Sequence, residues 1–327
     1  MNFLNKIKNK YHSKIFESLI NSKNYIELKK ELLLLRSQNL PLYMQCLHQS
    51  INATISRFEY ENFHIPKSLW VTGFYHKDNE IVSKFIKYYL QETGISANET
   101  KFSDNIDKIN KQYEINYDSS LERFIYLNYA FQYIIAQDSN FDIDIIQSNF
   151  AFYDYQSSIY LAHSAFLKLY IYVVRNPISL FLTLKKNWNG NSHLAFNYLF
   201  NLDNKNHLTK IQNENQSIHE YRQSWEVNLQ SWTNINTINT FKGFIVKIED
   251  LEQDPVQFFT DIIAHISVSE IKIKFDYKLI SQFLETEDYI NYKMKLHDES
   301  SMKISKNDMK FLKNNLSGAY KEFYQID

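Results

Sequence analysis

Cysteine, glycine and proline are all scarce in this sequence. Its 327 residues include one cysteine, Cys46, five glycines and four prolines. A single cysteine excludes an internal disulfide framework and a cysteine-rich zinc centre, and it fits a reducing, cytoplasmic compartment. Charge of either sign is not in excess: 36 basic and 37 acidic residues give a net −1. No whole-molecule field therefore draws the chain to nucleic acid or anionic lipid, and any anion site is local. The longest apolar runs, such as Leu169–Val174, fall far short of the roughly 18 residues that span a bilayer. The N-terminal MNFLNKIKNKYHSK scatters basic residues among apolar ones and lacks an apolar core before a small-residue cleavage site, so no signal peptide is expected. A G-x-x-x-x-G-K-[ST] run is missing, which sets a nucleoside-triphosphate enzyme aside. No compact His/Cys/carboxylate set stands at ligand spacing, and Asp142-Ile-Asp144 alone is not one, so chemistry without a metal is expected.

What is present is ample material for a core. Hydrophobic residues make up 44% of the chain, with 24 Tyr and 24 Phe, enough for one large domain with added helices. An AT-rich genome also produces a bias toward Asn, Ile, Lys, Tyr and Phe, so the aromatic excess by itself supports no functional reading.

The apolar periodicity divides the chain into a helical extension over 1–65 and a larger domain over 66–327. In the first part Phe3, Leu4, Ile7 and Tyr11 share one helical face, and Ile26, Leu28, Leu32 and Leu35 form a second stripe before Pro41. In the second part Ser68–Phe74 reads as a buried strand, and Ile81–Leu90 has helical spacing. A helix is expected over 119–136. Leu169–Val174 is a β-branched and aromatic run that ends at Arg175-Asn-Pro, with a helix following through about Trp188. Asn201–Ser217 reads as a polar loop and Ile218–Thr233 as a helix. Gly243–Ile248 reads as a third strand, and Pro255 opens another helix. Strands alternating with helices predict a parallel sheet covered on both faces.

Three segments carry a family resemblance. Tyr172-Val-Val-Arg175-Asn-Pro177 leads into Thr183, a hydroxyl residue eight positions after the arginine. Ser224-Trp225 and Trp232 precede Phe244-Ile-Val-Lys-Ile-Glu249-Asp250-Leu251, with Asp254-Pro255 beyond. Val71-Thr-Gly73-Phe-Tyr-His76-Lys77-Asp78-Asn79-Glu80 forms the first strand end and its loop. Together they resemble the cytosolic and bacterial sulfotransferases, which use 3′-phosphoadenosine-5′-phosphosulfate (PAPS) and release 3′,5′-adenosine bisphosphate (PAP). The resemblance implies a P-loop-like three-layer α/β/α fold with a central, mainly parallel sheet, here preceded by N-terminal helices. It also implies sulfuryl transfer to a hydroxyl or amine acceptor, or, as the alternative, a sulfotransferase-fold protein that has lost catalysis and serves as a binding or scaffold partner.

The site residues follow from the same likeness. Arg175 and Thr183 fall at the family's positions for the cofactor's 3′-phosphate, where an arginine fork and a helical hydroxyl suit the anion. Gly73 matches the glycine at the strand end. His76 takes the place of the catalytic cation and Lys77 follows it; Lys77 is preferred as the compact permanent charge that stabilises the leaving phosphate. His163 is the candidate base, although the lysine that precedes it in the family is missing. Lys293 and Lys295 stand near the family's C-terminal phosphate-covering loop, without its glycine. Asp78 and Glu80 depart from the pattern, which has small and hydroxyl residues there. Inward-pointing carboxylates compete for the amides that hold a phosphate, whereas Asp78 and Asn79 turned outward are good helix caps. Trp225 and Trp232, seven apart, are expected in the core. The aromatic stretches Phe141–Tyr155 and Leu194–Phe200 line an acceptor pocket or simply pack. The expected partners are a small-molecule or glycan acceptor and, in a homodimer, a second copy of the chain; neither nucleic acid nor membrane is expected.

Overall fold

Among the described residues the first strand lies in the apolar run that follows Pro66. In the computed structural model the described residues are 67–101, 140–149, 169–200, 223–234, 241–268, 273–300 and 302–316, with short pieces between them. Cys46, His163 and the helices expected before residue 66 and over 119–136 lie outside the described residues. Contacts divide the chain into Met1–Ile65 and Pro66–Asp327, and the description below concerns the second unit.

Five strands form one all-parallel sheet: β1 (Lys67–Gly73), β2 (Ala97–Lys101), β3 (Ile143–Ser148), β4 (Leu169–Val174) and β5 (Gly243–Lys247). Their order is β2-β3-β1-β4-β5, with Lys67 opposite Ile143, Leu69 opposite Leu169 and Tyr170 opposite Gly243. The three central strands are buried and rich in Leu, Ile, Val and aromatic residues, as a sheet covered on both faces requires.

Side chains alternate across the sheet, and the two faces differ. Leu69, Val71, Ile143, Ile145, Leu169, Ile171 and Val173 meet helices α1 (His76–Glu92), α6 (Pro255–Val268) and α7 (Tyr277–Leu284). The centre of that layer is aromatic: Phe85 stacks on Phe259 with ring centroids 4.0 Å apart, and Phe283 meets Phe85 edge-on at 5.1 Å. Each such ring contributes about 1.5–3 kcal/mol when fully buried. On the opposite face Tyr170 and Tyr172 bond to α4 (Trp225–Thr233), the first through the Trp232 carbonyl and the second through Asn228 Oδ1 at 2.8 Å.

Local signals explain most boundaries. Helix α1 stops where Gly94 takes φ 82° and the Ile95 N–H returns to the Leu90 carbonyl at 2.9 Å. Helix α2 (Pro177–Asn187) opens with proline at its first position and Asn176 accepting from the Ile178 N–H at 2.8 Å. Helix α3 (Ser192–Phe200) follows, with Phe181 stacked on Phe196 at 4.6 Å. Lys247 ends β5, and Ile248, expected as strand, instead begins the short α5 (Ile248–Gln253). The last two described helices are α8 (Glu287–Ser300) and α9 (Lys306–Asn315).

The readings of Asn201–Ser217 as loop and of Ile218–Thr233 as helix are also corrected. The segment from Ile218 does not begin a helix: Thr209–Asn213 pairs antiparallel with Gln216–Glu220, and α4 starts only at Trp225. The physical reason is the cap, since Ser224 Oγ accepts from the Val227 N–H at 3.3 Å and fixes the first turn there. Among the described residues no helix is long and apolar enough to cross a membrane.

Candidate functional site

The strand order itself points to a place. From β1 the chain passes to β2 on one side of the sheet, and from β4 it passes to β5 on the other. The place where the order reverses, outside the carboxyl ends of β1 and β4, is where open α/β sheets form their ligand-binding crevice.

Gly73 ends β1 at this point, and only Phe74 and Tyr75 separate it from the first residue of α1. A Cβ on Gly73 would stand 2.3 Å from the Val173 carbonyl oxygen and 2.6 Å from Asn79 Oδ1, so the strand end has room for glycine alone. Asn79 Nδ2 bonds across the strand ends to the carbonyls of Gly73 (3.2 Å) and Ser148 (3.0 Å) and to Asn149 Oδ1 (2.8 Å). Phe74 and Tyr75 are buried; Phe74 meets Tyr198 edge-on, and the Tyr75 hydroxyl accepts from Asn187 Nδ2 at 3.2 Å. The turn is thus tight and packed with aromatic rings.

Arg175 leaves β4 on the other side of the crevice. It is 3% exposed, and its guanidinium lies over the Tyr75 ring, 5.9 Å from the centroid. Nη1 is 3.4 Å from Asp78 Oδ1, and Nε donates to Ser179 Oγ at 3.3 Å. Asp78 is 1% exposed and accepts a second bond, from the Tyr292 hydroxyl at 2.8 Å. Trp225 Nε1 donates to the Arg175 carbonyl at 3.2 Å, which ties α4 to the same corner. Asp78 therefore belongs to the first turn of α1 and faces inward. The cap position is Tyr75, which makes no side-chain cap bond, so of the two alternatives the one in which Asp78 and Asn79 turn outward and cap the helix does not hold.

A further carboxylate, Glu249 at the start of α5, accepts from the Asn176 N–H at 2.8 Å. Burial pushes its carboxyl above the ordinary value; the Asn176 N–H opposes this, Asp78 adds to it and Arg175 reduces it. The ion pair of Arg175 is with Asp78, and its charge reaches Glu249 only at longer range. Glu80 turns elsewhere, to Lys84 at 3.4 Å and Lys101 at 3.6 Å. Burial raises its carboxyl, but the two lysines outweigh that and hold it below the ordinary value.

The other candidates are spread around this corner. Thr183 is buried two turns into α2 and its hydroxyl donates to the Ser179 carbonyl at 3.2 Å, so Ser179 supplies the hydroxyl beside Arg175. His76 is exposed and Lys77 half-buried at the head of α1. Lys293 and Lys295 are exposed on α8, whose Tyr292 is the residue that reaches the crevice. Lys293 and Tyr292 also line a small pocket of about 180 Å³ with Leu251, Tyr289, Leu296 and His297. Trp225 and Trp232 are both buried. Among the described residues no group of three or more His, Cys, Asp or Glu side chains is placed to hold a metal ion.

Sequence reading missed Ser179 and Tyr292 and left the direction of Asp78 open. Serine four residues after Arg175, one helical turn away, was the available signal for the first; nothing local marks the other two. Compared with known proteins, the chain matches no family model and no curated protein sequence.

Proposed function

We propose that this chain is a sulfotransferase-like protein that does not transfer sulfate and works by binding, with its own Asp78 standing in for the donor's phosphate. The observation that carries the reading is the buried contact of Asp78 with Arg175 at 3.4 Å, reinforced by Tyr292 at 2.8 Å. Arg175 is the residue that resemblance assigns to the cofactor's 3′-phosphate, and its charge already faces an internal carboxylate. A phosphate brought within about 4 Å of Asp78 meets a repulsion on the order of 4 kcal/mol at an effective dielectric near 20, roughly a thousandfold in affinity. Glu249 adds to that repulsion, and the ring of Tyr75 takes up space beside the guanidinium.

Calorimetric titration with PAP tests this. Wild type is expected to give no binding heat at micromolar ligand, as is the Arg175→Ala variant. Micromolar binding to wild type that Arg175→Ala abolishes would sink the proposal.

A second reading, PAPS-dependent sulfuryl transfer to a hydroxyl or amine, has one observation in its favour. The Arg175–Asp78 contact is 3.4 Å long, against about 2.7–2.9 Å for a charge-assisted hydrogen bond, so a phosphate displaces the carboxylate at lower cost than from a tight pair. The same titration separates the two readings.

A further inference from the structure

Helix α9 carries its charges in an arrangement that packing does not call for. Its inner side is fixed: Leu312 is buried, Phe311 packs on Phe196 with ring centroids 4.1 Å apart, and Asp308 pairs with Lys185 at 2.8 Å. Ser305 Oγ accepts from the Asp308 N–H at 3.1 Å and starts the helix. At about 100° per residue, Lys306, Lys310 and Lys313 lie within about 60° of one another, opposite Asp308 and Leu312. All three are exposed, and Lys303 is exposed just before the helix. Asp308 is the one acidic residue between Met302 and Leu316, and it faces inward.

A merely solvated helix face interleaves the two signs of charge. Here Lys306 sits at the first helical position, against the macrodipole, and Lys306–Lys310 and Lys310–Lys313 fall at the spacings where like charges repel. The whole chain has a net charge of −1, so a one-signed stripe is a local feature rather than a drift of composition.

What the face omits narrows its occupant. Among the described residues it offers no exposed aromatic ring on which a base would stack. Its apolar neighbours Ile304 and Met309 are half-buried, and no exposed large hydrophobic side chain lies on α9 to enter a bilayer. Lysine supplies compact point charges on flexible stems, which follow a chain of densely charged groups without the fixed geometry of an arginine fork. We propose that this face binds a linear polyphosphate, a chain of condensed phosphates lying along α9 against Lys306, Lys310 and Lys313. The three lysines span roughly 10 Å of helix axis at about 1.5 Å per residue. The open face along them also carries Ser305 and Asn314, whose hydroxyl and amide add donors. The site is separate from the Arg175 crevice and stands independently of the reading given to it.

Calorimetry of the full chain with sodium tripolyphosphate over a salt series tests the proposal. The comparison proteins are Lys306→Gln/Lys310→Gln/Lys313→Gln and a control, Lys274→Gln/Lys278→Gln, which removes exposed lysines elsewhere. Wild type is expected to bind with an affinity that falls steeply with salt, the triple variant to bind roughly a hundredfold more weakly, and the control to match wild type. A second triple variant with arginine at the same three positions is expected to retain binding, which separates loss of charge from loss of structure. Absence of binding to wild type, an unchanged triple glutamine variant, or an equal loss in the control overturns the proposal. Tighter binding to heparin or to phosphatidylserine vesicles than to tripolyphosphate overturns it as well, in favour of a sulfated polymer or a membrane surface.

Discussion

The Tyr292 hydroxyl donates to Asp78 Oδ1 at 2.8 Å, so a side chain from helix α8, 214 residues further along the chain, joins the first turn of α1. Beside it Lys84 of α1 bonds to Asp288 of α8 at 2.7 Å, but that pair is exposed and contributes little. The bond to the buried Asp78 carboxylate is the stronger of these two links between the helices.

Tyr292→Phe removes one donor from a buried carboxylate and keeps the ring. The expected cost is about 1.5–3 kcal/mol, the range for a hydrogen bond to a charged group. Urea denaturation measures it, and a midpoint equal to that of wild type would show that the bond contributes nothing.

Asp78→Ala strands the Arg175 guanidinium without its carboxylate and is expected to cost about 3–5 kcal/mol. Replacing both partners with apolar residues, Asp78→Leu with Arg175→Met, is expected to cost less than Asp78→Ala alone, because no unpaired charge remains. A double-mutant cycle by chemical denaturation reads the coupling; strictly additive effects would mean that the 3.4 Å contact is incidental.

At Gly73 the added methyl of Gly73→Ala meets the Val173 carbonyl, a backbone group held by the parallel ladder in which the two residues are paired. Neither can give way without parting β1 from β4. The expected loss is about 3 kcal/mol or more, toward the upper end of overpacking costs, seen as a lowered thermal midpoint.

Glu249 makes the fold sensitive to pH in a defined direction. Its carboxyl is raised above the ordinary value of 4.5, chiefly by burial. The stability it contributes is therefore full below that ordinary value and is lost as pH rises through the folded-state value. Glu249→Gln keeps an acceptor for the Asn176 N–H without the charge. The variant's stability relative to wild type is expected to grow as pH rises above 4.5 and then level off. A constant difference across a series of denaturation curves would place the effect elsewhere.

The elements legible from sequence were those with a strong local cause. Leu169–Val174 is continuously apolar and β-branched, Pro177 and Pro255 mark first helical positions, and Gly73 sits at a strand end where nothing larger fits. Ala97–Lys101 had no such signature: Asn, Glu, Thr and Lys follow one another, and the strand exists because it pairs with β3 from Ala97 to Lys101. Ile143–Ser148 lay within a stretch read for its aromatic residues, while its buried Ile143, Ile145 and Ile146 pack in the sheet. In the crevice, sequence order gave Arg175 its place at a strand end, but the partner that neutralises it lies 97 positions away in the chain. Charge alone left Asp78 free to face either way, and Arg175 and Tyr292 decide between them which way it turns.

The sheet order also bears on how the chain is made. Strand β1 is the first of the five to leave the ribosome, yet its neighbours are β3 and β4, beginning at Ile143 and Leu169. During synthesis Leu69, Trp70 and Val71, all fully buried at the end, wait without a partner while the intervening chain emerges. Such a nascent strand presents an unpaired, apolar edge for seconds at roughly 5–20 residues per second. Translation speed and chaperone supply are thus expected to govern the yield of this protein more than they do for a fold whose central strand comes last.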